Sequence, residues 1–80
     1  MKKYFFHNDP RHGWLEVGRD EIKGLAISSY SYQRGDRVYL EEDGDLVQFL
    51  QAHPEISTSD FINKYYNEDA PMRLMANYRA

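Results

Sequence analysis

Eighty residues with a formal net charge of −3 and no cysteine leave room for one hydrophobic core and exclude a disulfide-stapled scaffold or a thiolate metal centre. No apolar run approaches the roughly 18 residues that a bilayer span requires. Lys2-Lys3-Tyr4-Phe5-Phe6 runs directly into His7-Asn8-Asp9, unlike a secretory leader. The expectation is a single domain over 1–80 in the cytoplasm. Charge is uneven: residues 1–40 carry seven Lys/Arg against five Asp/Glu, whereas residues 41–80 carry three against eight. The acidic second half repels a phosphate backbone and makes nucleic acid a poor partner.

Lys3–His7 is short and aromatic and ends at Asn8-Asp9-Pro10, which predicts a first strand. Trp14-Leu15-Glu16-Val17 alternates, with Leu15 and Val17 on one face and Trp14 and Glu16 on the other. The intervening Pro10 and Gly13 suit a hairpin loop. Asp20–Leu25 has acids at its start and Gly24 near its end, as one or two helical turns would, with Ile22 and Leu25 toward the sheet.

Ser29-Tyr30-Ser31-Tyr32-Gln33 alternates strictly, Arg34-Gly35-Asp36 supplies a turn, and Arg37–Glu41 alternates again with Val38 and Leu40 inward. This second hairpin is expected to pack Tyr30, Tyr32, Val38 and Leu40 against a following helix. Asp43 or Asp45 would cap that helix, Leu46, Phe49, Leu50 and His53 form its apolar stripe, and Pro54 ends it. Ser57-Thr58-Ser59-Asp60 reads as a helix start, with Phe61, Ile62, Tyr65 and Tyr66 as the apolar face. Pro71 would open a last helix bearing Met72, Leu74, Met75 and Tyr78. The expected class is α+β: a small antiparallel sheet of about four strands (ββαββ) covered by two or three helices.

Two groups of residues stand out. The loop residues His7, Asp9, Arg11 and His12 combine imidazole, carboxylate and guanidinium. They match no metal signature such as HExxH or paired cysteines, so no metal and no cofactor is expected. His12 as a general base oriented by His7 or Asp9 is the enzymatic reading, but no activated nucleophile or phosphate loop accompanies it and no catalytic residue is assigned. The Arg34-Gly35-Asp36 tripeptide is accounted for by a turn that needs glycine.

The second group is a prospective partner surface: Trp14, Arg37 and Tyr39 on one sheet face, with the acidic run Glu41, Glu42 and Asp43 beside it. Trp, Tyr and Arg are the residues enriched at binding hot spots. Two readings compete with it. The last helix folds over this face and buries it, and the acidic run is a solvated turn leading into a helix.

His7–Val17 (HNDPRHGWLEV), Ile27–Asp36 (ISSYSYQRGD) and Val38–Asp43 (VYLEED) resemble a family of short uncharacterised proteins encoded in bacteriophage and prophage genomes. The resemblance spans about the first 45 residues and carries no catalytic residue over. It implies a mobile-element origin and a non-enzymatic protein that binds and modulates or inhibits a host protein, an anti-CRISPR-like role against bacterial defence being one form. A nucleic-acid-binding regulator is the alternative, and a small His-based or metal-dependent enzyme the third. The expected partner is a host protein, with nucleic acid and membrane disfavoured, and the chain itself a monomer or homodimer.

Overall fold

The computed structural model describes residues 2–80. Strong β formers at every second position build its centre. Strand β1 (Tyr4–Asn8) pairs antiparallel with β2 (Gly13–Gly18), and β2 pairs with β4 (Arg37–Glu41), Leu15 opposite Leu40 and Val17 opposite Val38. A short β3 (Tyr32–Arg34) completes the second hairpin through a turn in which Gly35 has φ +59, a left-handed conformation that glycine adopts without strain. Gly13 leaves room for Phe6: a Cβ there would lie 2.6 Å from the Phe6 ring and would displace it.

One face of the sheet holds the main core. Tyr4, Leu15, Val17, Val38 and Leu40 pack with Ile22 and with Leu46 and Phe49 of helix α1 (Asp45–Ala52). Leu50 lies half-buried at the margin and the Phe49 and His53 rings are 4.6 Å apart, so the apolar stripe of the helix is as the sequence spacing predicts. The predicted turns after β2 form one 3-10 turn, Arg19–Ile22.

The architecture is α+β, but the sheet has six strands, in the order β5-β1-β2-β4-β3-β6, and it is mixed. The two predicted C-terminal helices are corrected. Ser57 and Asp60 do form a capping box, yet it closes only the 3-10 turn Thr58–Asp60; the chain then extends as β5 (Phe61–Tyr65), parallel to β1. Aromatic and β-branched residues favour a strand at this position, and pairing with β1 overrides the helical spacing of Phe61, Ile62, Tyr65 and Tyr66. Pro71 likewise opens only one 3-10 turn, Pro71–Leu74, before the two-residue β6 (Ala76–Asn77) on the opposite edge. Among the described residues no helix is long and apolar enough to cross a membrane.

Candidate functional site: an aromatic and acidic cleft

The second sheet face carries Phe5, His7, Trp14, Glu16, Tyr32, Arg37 and Tyr39. It is not an open surface. The 66–75 segment crosses it, and Ala70 and Met72 pack with Trp14 and Tyr39, which are 2% and 8% exposed. The open-patch expectation is therefore corrected. Met72 reaches the face from the short 3-10 turn Pro71–Leu74, in place of the last helix expected over it.

Asp9 fastens that cover. Its side chain is fully buried and accepts from the backbone N–H of Arg11, His12 and Ala70 as well as from Arg73 Nε at 2.6 Å and Nη2 at 3.0 Å. The Arg73 guanidinium, with the three amides, overcomes burial and holds the Asp9 carboxyl far below the usual carboxylate range. Arg73 also stacks over Trp14, 4.8 Å from the ring centroid.

His7 is buried in a separate network. Glu16 can only accept, so His7 Nε2 donates to its Oε1 at 2.8 Å, while His7 Nδ1 lies 2.8 Å from the Tyr66 hydroxyl. Arg37 Nε donates to the other Glu16 oxygen at 3.0 Å. Burial pushes the Glu16 carboxyl up, and the bonds from His7 and Arg37 outweigh it, so its pKa is lowered. Burial, reinforced by Glu16, pushes the phenols of Tyr39 and Tyr66 up.

The residues of the histidine loop are thus dispersed. His7 faces Glu16 and Tyr66, Asp9 is saturated by Arg73 and backbone amides, and Arg11 pairs with Asp69 at 2.7 Å in solvent. His12 lies 3.5 Å from Glu42. No group of three or more His, Asp or Glu among the described residues is placed to hold a metal ion.

The two sets of sequence candidates meet twice: His7 packs 5.6 Å from the Tyr39 ring and shares Glu16 with Arg37, and His12 meets Trp14, Glu41 and Asp43 at one end of the sheet. Trp14 opposite Glu41, His12, Tyr30, Tyr32, Asp43 and Arg73 line a cleft of about 420 Å³. The Trp14 ring lies 6.1 Å from both the Tyr32 and the His12 rings. Glu42 stands beside the cleft, while Arg37 and Tyr39 do not line it.

Tyr30, 76% exposed, forms part of its wall. Sequence alternation predicts Tyr30 on a strand, but Ser28–Ser31 turns instead, because the buried Asp45 carboxylate gathers it. Asp45 accepts from the Ser28 N–H and Oγ–H and from Ser31 Oγ–H at 2.6 Å. Ser31 Oγ in turn accepts the Glu41 N–H, and Ser28 Oγ accepts the Tyr30 N–H. An exposed aromatic is therefore held on a loop pinned from below.

The charges have a definite balance. Arg73 is neutralised by buried Asp9. Glu41 Oε1 accepts the N–H of Asp43 and Gly44, and the exposed Asp43 carboxylate accepts no side-chain bond among the described contacts. The cleft is thus aromatic, net acidic and preorganised, a combination suited to a cationic side chain.

No protein-family model, curated protein or solved structure matches this chain.

Proposed function

We propose that this chain is a non-enzymatic, phage-type interaction protein that modulates or inhibits a host protein, a component of bacterial defence being one such target, by receiving an arginine-bearing segment in the Tyr30–Asp43 cleft. The observation that carries this reading is the solvent-exposed Tyr30, fixed through Ser28, Ser31 and Asp45 beside Trp14, Tyr32 and unpaired acidic charge. A guanidinium stacks on a tyrosine face and bonds a carboxylate with its planar fork, so it satisfies both halves of the cleft at once. A polyanion meets repulsion from Glu41, Glu42 and Asp43.

The test is affinity purification from phage-infected bacteria with tagged wild type, Tyr30→Ala and Asp43→Lys, together with titration of an arginine-bearing peptide against the Trp14 indole N–H resonance. One host protein is expected with the wild type and lost from both variants, with the peptide moving the Trp14 signal. Undiminished binding to both variants overturns the reading. Tight, steeply salt-dependent DNA binding replaces it with a nucleic-acid regulator.

A further inference from the structure

We propose that the chain forms a symmetric dimer by antiparallel pairing of two β5 strands across the free edge of the sheet. β5 is the outer strand, and four of its five residues are exposed. The Tyr66 N–H donates to the Asn8 carbonyl. By strand alternation Ile62 and Lys64 therefore turn their main-chain groups toward β1, and Phe61, Asn63 and Tyr65 turn theirs outward. The Phe61 N–H is already taken by the Thr58 carbonyl. The Phe61 carbonyl, both Asn63 groups and both Tyr65 groups remain for a neighbour.

These groups fit a second copy of the same strand. With the two-fold axis at Asn63, the two Asn63 residues exchange both their bonds, and each Tyr65 N–H meets the free carbonyl of Phe61 in the second copy. Because the Phe61 N–H is held by Thr58, the Tyr65 carbonyl at each end of the pair stays with solvent, and the register makes four main-chain bonds, two between the Asn63 residues and one from each Tyr65 N–H. Side chains agree with it: Phe61 lies opposite Tyr65, Asn63 opposite itself, and Ile62 opposite Lys64, so no like charges face each other directly. The two Lys64 residues are diagonal, and each ammonium is drawn back 4.9 Å over its own Phe5 ring. The strand holds no proline, and its one charged residue, Lys64, is the guard that the Phe5 ring draws aside. Exposed Phe5 and Ile62 on one face and Tyr65 on the other supply apolar surface beside the new pair.

Analytical ultracentrifugation of the full chain over micromolar to sub-millimolar concentrations tests this. A concentration-dependent dimer is expected for the wild type. Asn63→Pro removes the outward N–H and an exposed side-chain bond from Asn8 at 3.3 Å, and is expected to give a folded monomer. Should that variant fail to fold, the charge pair decides: Ile62→Lys, which faces Lys64, is expected to weaken the dimer about tenfold, and Ile62→Glu to tighten it. A monomer at every concentration overturns the proposal, as does a dimer on which Ile62→Lys and Ile62→Glu act alike. Neither substitution touches the cleft, so the outcome is separate from that of the functional reading.

Discussion

Arg73 closes on Asp9 across 64 residues of sequence, its Nε 2.6 Å from one carboxylate oxygen and its Nη2 3.0 Å from the other. The pair joins the β1–β2 loop to the segment that covers Trp14. Breaking a buried pair by removing one partner leaves an uncompensated charge and costs about 3–5 kcal/mol. In a domain of this size that is a large part of the total stability. Asp9→Asn is therefore expected to unfold at much lower urea than wild type, and Arg73→Met in the same background to recover part of the loss. An Asp9→Asn midpoint equal to that of wild type would show that the clamp contributes nothing.

The same carboxylate sets the acid limit of the fold. Its folded pKa is depressed, so its contribution is complete above the unfolded value near about 4 and is lost as pH falls toward the folded value. Glu16 and Glu21, also lowered, act in the same direction. Melting temperature is expected to be flat through neutrality and to fall below about pH 4, with Asp9→Asn showing a shallower decline than wild type. Equal acid slopes in the two proteins would remove Asp9 as the cause.

His7 is buried between Glu16 and the Tyr66 hydroxyl. Tyr66→Phe leaves His7 Nδ1 without its partner beneath the covering segment. A buried polar group left unsatisfied costs about 1–3 kcal/mol. The variant is expected to melt earlier but to keep partner binding at the cleft, which lies elsewhere on the face. Loss of binding at unchanged stability would instead make the Tyr66–His7–Glu16 network the functional centre.

What the sequence made legible follows from local periodicity. The Val38/Leu40 alternation and the Leu46–Phe49–Leu50 spacing each encode burial against a single partner surface, and both elements form as they predict. Where the outcome depended on a distant partner, local pattern misled. Phe61, Ile62, Tyr65 and Tyr66 have helical spacing, but β1 offered a free edge and the segment became a strand. Tyr30 and Tyr32 alternate as a strand would, and Tyr32 does open β3, but opposite Tyr39, so it faces Trp14 on the side away from the helix; Asp45 turns the chain at Ser28 and Ser31 and takes Tyr30 out of the strand. The cleft was half visible: Trp14, His12, Glu41 and Asp43 stand out by composition, whereas Tyr30 and Arg73 join them only through buried hydrogen bonds that no spacing encodes. Whether Trp14 was surface or core depended on the fate of residues 66–75, and the fold buries it.

That burial separates two substitutions which composition alone would equate. Trp14 is packed under Ala70 and Met72 and stacked by Arg73, so Trp14→Ala is expected to cost about 3–5 kcal/mol and to leave little folded protein. Tyr30 makes no side-chain hydrogen bond among the described contacts and is largely exposed. Tyr30→Ala is expected to change stability by no more than about 0.5 kcal/mol, because its loop is held by Ser28 and Ser31 through their own bonds to Asp45. If the cleft receives a cationic side chain, however, Tyr30 provides its open aromatic wall, and truncating such an anchor costs about 2 kcal/mol or more of binding, a loss of roughly thirtyfold in affinity. Denaturant titration and partner affinity measured on the same preparations check both halves. A Tyr30→Ala protein that is stable and binds at wild-type affinity would mean that the exposed aromatic is ordinary surface and that the cleft is not where the partner docks.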